Sequence, residues 1–151
     1  MGSIIVGIDG SAQSHRALAW ALDEARLRNA EVTIVHAHLP DTIDVYGMGG
    51  MVTADQLQAY SEEFERQHQQ VVDDALEEVA DRVQDVTVQA KVERGWSPAH
   101  AIVEYSKDAD LVVVGSRGRG GFAGVLLGSV SQQVAQHAHC PVVIVGAQKD
   151  D

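Results

Sequence analysis

The stretch that most limits what this chain can fold into runs from Val112 to Ser129. It opens as an apolar run, Val112-Val113-Val114, and passes into a loop carrying Gly115, Gly118, Gly120, Gly121 and Gly124, five of the fourteen glycines in the chain. It ends at Gly128-Ser129, after which Val130, Val134, Ala135 and Ala138 recur at helical spacing. Strand, glycine loop and helix start, in that order, are how an α/β protein makes an anion site. Glycines let the backbone come close to a phosphate and take up positive φ. The amides of the first helical turn then point at the anion, with the helix dipole behind them. The hydroxyls of Ser129 and Ser131 add donors to this cradle, and Arg117 adds a charge.

Composition sets the outer bounds. At 151 residues with 45% hydrophobic content, the chain is expected to form one globular domain. No basic and apolar leader precedes the first strand, and no apolar run approaches the roughly 20 residues a transmembrane helix needs. The single cysteine, Cys140, cannot close an internal disulfide, which suits a reducing cytoplasm. The net charge of −11, from 22 acidic and 11 basic residues, argues against nucleic acid or an anionic membrane as a partner. A nucleotide stays admissible, because a local nest of N–H groups overrides the global field.

Along the chain, strands and helices alternate. Ser3–Asp9 is a continuous apolar run, as in a strand buried on both faces. Asp9-Gly10-Ser11 turns it into a helix capped by Ser11 and running to about Asn29. Glu31–Leu39 is the second strand. A periodless loop follows from Pro40 to Thr53, read as a flap, and then a long surface helix from Ala54 to Arg82, with Leu57, Tyr60, Phe64, Val71, Ala75 and Val79 on its apolar face. Val86, Val88, Ala90 and Val92 alternate with polar residues, which marks an edge strand. Ser97-Pro98 opens a third helix whose buried face is Ala101, Ile102 and Tyr105. Asp110–Gly115 is the fourth strand, Ser129–His137 the last helix and Pro141–Val145 the fifth strand. The pattern predicts an open parallel sheet of five strands with helices on both faces, in one domain over 1–147 with a polar tail at 148–151.

The spacing Gly115, two residues, Gly118, nine residues, Gly128-Ser129 is the G-x2-G-x9-G-S pattern, and on it the chain resembles the nucleotide-binding branch of the universal stress protein family. The likeness extends from Ile4-Ile5-Val6-Gly7-Ile8-Asp9-Gly10-Ser11 to Cys140-Pro141-Val142-Val143-Ile144-Val145. It implies a Rossmann-like fold with strand order 3-2-1-4-5, bound ATP (or AMP or ADP) with or without Mg²⁺, and a homodimer. The nucleotide contacts it implies come from Ile8, Asp9, Gly10 and Ser11 after the first strand and from Ala37 at the end of the second, where backbone groups hold the adenine. They continue through Val114, Gly115, Ser116, Arg117 and Gly118, and through Gly128, Ser129, Val130 and Ser131.

Asp9 has two readings: it steers a phosphate-bound Mg²⁺, or it fixes its own turn through an Asx hydrogen bond. The resemblance favours the first. His36 and His38 are assigned to opposite sides of their strand, which leaves them as packing or rim residues rather than one metal site. His137-Ala138-His139-Cys140 is read as a helix end whose histidine suits the dipole. Gly118–Ala123 fits a dinucleotide fingerprint but follows the wrong strand and lacks the acidic residue downstream, and no lysine sits where a Walker A loop needs one. The function expected is therefore an ATP-binding stress protein that senses or holds nucleotide. A slow ATPase on the same site and a nucleotide-independent interaction module are the rivals. The uniformly apolar fifth strand, Pro141–Val145, reads as a second sheet edge open to pairing with another copy.

Overall fold

The computed structural model describes residues 2–39, 53–117 and 127–147. The loop expected at 40–53 apart from Thr53, the glycine loop from Gly118 to 126, and the tail from Gln148 lie outside the described residues.

β1 (Gly2–Gly7) lies at the middle of the sheet, paired in parallel with β2 (Ala30–His38) on one side and β4 (Leu111–Gly115) on the other. β3 (Val88–Arg94) pairs with β2 and β5 (Val142–Val145) with β4, giving the order β3-β2-β1-β4-β5. Two layers of helix cover it: α1 (Ala12–Arg28) and α2 (Ala54–Glu78) on one face, α3 (Pro98–Ser106) and α4 (Ser129–His137) on the other.

Strand periodicity decides which residue serves which face. Ile4, Val6, Val32, Ile34, Leu111 and Val113 pack with Ala17, Leu18, Ala21, Leu22 and Ala25 of α1 and with Val72 and Ala75 of α2. Their neighbours Ile5, Val35, Val112 and Val114 point the other way, onto Ala101 and Ile102 of α3 and Val134 of α4. This two-sided burial is why the central strands read as unbroken apolar runs.

The helix ends follow local chemistry. Ser11 Oγ accepts from the Ser14 amide at 3.2 Å, and Ser97 Oγ from the His100 amide at 3.2 Å, with Pro98 in the first helical position. Asn29 closes α1 in the left-handed region at φ 53°. Asp23 pairs with Arg82 and, at 3.3 Å, with Arg26, while Arg26 also donates to the Arg82 carbonyl at 2.7 Å, tying α1 to the chain that leaves α2.

Several expected boundaries shift. β1 stops at Gly7 rather than Asp9, although the Ile8 amide still reaches the Val35 carbonyl at 3.0 Å. α2 ends at Glu78 because Val79 leaves helical geometry, and Ala80–Arg82 is a 3-10 turn. Val86 belongs to a turn, its amide bonded to the Val83 carbonyl with Asp85 at φ 67°, so β3 starts two residues later. The first turns of α2 reach past the core: Leu57 is 47% exposed, and Phe64 is the first buried residue of the helix. Tyr105 is half-buried rather than core. Its hydroxyl donates to Glu93 on β3, and burial together with that carboxylate pushes it up to about 12.

Leu22 is wholly buried between α1 and the sheet. Leu22→Ala is expected to cost about 3 kcal/mol of stability, the usual price of a core cavity, read as a lower urea midpoint at unchanged slope.

Candidate functional site

The carboxyl ends of β1 and β4 are where the strand order reverses, and loops leaving adjacent strands there splay to opposite faces. A cleft of about 500 Å³ opens at that point, within the range of small-molecule sites. Of the residues expected from the sequence, it brings together Ile8, Asp9, Ser11, Ala37, Val114, Gly115, Arg117, Gly128, Ser129, Val130 and Ser131. Gly10, which is exposed, and Ser116, which is buried, do not line it, and Gly118 lies outside the described residues.

The turn after β1 is a self-bonded unit. Asp9 Oδ1 accepts from the Ser11 amide at 2.9 Å, and the Ser14 hydroxyl accepts from the Asp9 amide at 3.3 Å while donating to the Ser11 carbonyl at 2.9 Å. Gly10 sits at φ 87°, a conformation that side chains other than glycine's rarely accept. The Asx turn weighed for Asp9 is thus present, and the same carboxylate still lines the cleft. Among the described residues no group of three or more His, Cys, Asp or Glu is placed to hold a metal ion.

The opposite wall is the start of α4. Gly128 caps it with no side-chain bond, and the first intrahelical bond is from the Gln132 amide to the Gly128 carbonyl at 3.0 Å. The amides of Ser129, Val130 and Ser131 therefore have no acceptor within the helix. The Gly128 amide itself donates to the Ser116 carbonyl at 2.7 Å. Ser131 departs from expectation: its hydroxyl is buried and donates to the Ser116 carbonyl at 2.7 Å and the Gly128 carbonyl at 3.0 Å, so it braces the loop from inside rather than facing a ligand. Ser116 is likewise turned inward, donating to Gln13 Oε1 at 3.1 Å, and the Arg117 amide donates to the same oxygen at 2.9 Å.

At the β2 end the assignment of His36 and His38 to opposite faces fails. Residues two apart on a strand share a face, and both rings lie against His68 of α2, with ring centroids 5.0 and 4.5 Å from it. His36 is buried and hydrogen-bonds through Nδ1 to the Ile8 carbonyl at 2.9 Å and through Nε2 to His68 Nδ1 at 2.8 Å. Phe64 packs on His68 at 4.3 Å, and the Arg94 guanidinium lies 4.8 Å over the Phe64 ring. Burial, then the neighbouring imidazoles, hold His68 down at about 4, so the ring is neutral at pH 7.

Gln13, Ser14, His68 and Val71 were not legible as site residues. His68 carries one weak signal, a polar side chain four residues after Phe64 on the apolar stripe of α2. Gln13 carries none.

Comparison with known proteins agrees with this geometry. The description of the universal stress protein family matches residues 1–146. A universal stress protein of Mycolicibacterium smegmatis is 40% identical over 142 residues, which cover 94% of this chain and 45% of that protein, so this chain spans about half its length. The universal stress protein YxiE of Bacillus subtilis is 34% identical over 147 residues, covering 94% of this chain and 97% of YxiE. Among solved structures, a universal stress protein in complex with cAMP is 32% identical with a TM-score of 0.60, covering 95% of this chain and 96% of that one. With a matching sheet order, a glycine-flanked helix start at its switch point and relatives along nearly its whole length, the chain belongs to the universal stress protein family.

Proposed function

We propose that the cleft holds an adenine nucleotide, ATP foremost, and that the protein senses or stores it. The observation that carries this is the convergence on one cleft of three features from distant segments: the Asp9–Ser11 turn, the Gly115–Arg117 exit of β4 and the amides opening α4. Phosphates belong at α4, where amides without an intrahelical acceptor, the helix dipole and Arg117 meet. The base belongs across β1, near Ala37. The related structure bound to cAMP supports an adenine ligand. Holding is favoured over turnover because the Asp9 carboxylate accepts the Ser11 amide and His68, its pKa held down at about 4, is a weak base at pH 7.

Ser129→Ala is expected to weaken ATP binding by about 1 to 2 kcal/mol in titration calorimetry, the worth of a hydrogen bond to a charged group. Unchanged affinity would remove the helix start as the phosphate site.

Mg²⁺ enters this reading with the nucleotide, since it is commonly held by phosphate oxygens and a single carboxylate. Asp9→Asn keeps an oxygen for the Ser11 amide and removes the charge. It is expected to lower affinity for Mg·ATP several-fold more than for AMP; equal losses would assign Asp9 to the turn alone.

The proposed assembly is a homodimer along β5. The amides of Val112 and Ser116 donate to the carbonyls of Pro141 at 3.0 Å and Val145 at 2.9 Å, so Val142 and Ile144 turn their own amides to the open edge. Ile144 also leans on the α3–α4 side of the core, so an aspartate there would damage the fold itself. Ile144→Pro removes one outward donor and is expected to yield monomers by light scattering, from a wild type that is dimeric at micromolar concentration. A monomeric wild type would refute this assembly.

A further inference from the structure

The hydrogen-bonding sense of one ring on the cleft wall follows from the chain of bonds behind it. The Ile8 carbonyl can only accept, so His36 Nδ1, 2.9 Å away, carries a proton. Burial disfavours a second proton on His36, so its Nε2 is a bare acceptor and His68 Nδ1 at 2.8 Å donates to it. The remaining nitrogen of the neutral His68 ring, Nε2, is therefore an acceptor. His68 lines the cleft on the β2 side, away from α4, and the rings of His38 and Phe64 pack against it and hold its plane. The depressed pKa of His68 keeps its own ring neutral at pH 7.

We propose that His68 is a specificity-determining residue of the cleft, its Nε2 accepting from the exocyclic amine of a 6-amino purine and opposing the oxygen of a 6-oxo purine. The proposal rests on the nucleotide reading above and deepens it. A backbone carbonyl two elements away sets the sense of His36, His36 sets that of His68, and His68 meets the 6-substituent. With the phosphates held at α4, the base is not free to slide until another edge faces the ring. An amine then gains a partner, whereas a carbonyl oxygen places two acceptors face to face and leaves both unsatisfied.

The test is titration of the full chain with ATP and with ITP, which differ at the 6-position and in the protonation of the adjacent ring nitrogen. The wild type is expected to prefer ATP about tenfold, the scale of one hydrogen bond gained against one buried acceptor left unpaired. His68→Gln, which offers both an acceptor and a donor, and His68→Phe, which offers neither, are each expected to narrow that ratio to about twofold. Imidazole ¹⁵N NMR of the wild type tests the relay without substitution. His68 should carry its proton on Nδ1, and its Nε2 resonance should move with ATP and not with ITP. Equal affinity for the two nucleotides, a ratio that survives both substitutions, or a proton on His68 Nε2 would each overturn the proposal. Failure of both nucleotides to bind would instead remove the nucleotide reading beneath it.

Discussion

The mouth of the sheet depends on how closely β4 approaches the first turn of α1. A Cβ placed on Gly115 would meet Gln13 Cβ at 3.3 Å and the Gln13 backbone carbon at 3.4 Å, so only a bare backbone fits without displacement. The same Gln13 offers its amide oxygen to the Ser116 hydroxyl and the Arg117 amide. Segments a hundred residues apart are thereby stitched at the point where crossover loops diverge, and the width of the cleft is set by a contact rather than left to two loops. A buried amide oxygen shared by two donors is costly to disturb, since either donor would be left unsatisfied.

The architecture was legible because its signals are local. The buried runs at Ile4–Val6 and Val112–Val114 reveal central strands, the alternation from Val88 to Val92 reveals an edge, and Ser11 and Ser97-Pro98 reveal helix starts. The glycine loop located the switch point for the same reason. What stayed hidden was cross-chain partnership. Nothing adjacent to Gln13 announces that it will brace Ser116, and nothing adjacent to His68 announces His36. Both are polar residues spent on contacts made only after the sheet has assembled. Ser131 shows the opposite case: its place at a helix start suggested a ligand donor, but burial turned its hydroxyl onto two carbonyls.

Histidine packing across β2 and α2 shows how a polar cluster sits in an apolar layer, with His68 held neutral at pH 7. Each ring offers one donor and one acceptor when neutral, so a row of them relays bonds from a carbonyl outward and avoids the cost of burying an ion. Phe64 and the Arg94 guanidinium close that row at its outer side, where water is close enough for a cation to remain hydrated.

The two rims of the sheet are chemically unlike. β3 carries Lys91, Glu93 and Arg94 along its margin, whereas Val142–Val145 carries four half-buried aliphatic residues. A sheet with one sticky rim and one charged rim has a polarity of growth. Two molecules meeting along β5 would turn both β3 rims outward, and a third would find only charge to join. Under the proposed pairing, association through strand edges would terminate itself, the same asymmetry serving a pair and opposing a fibre.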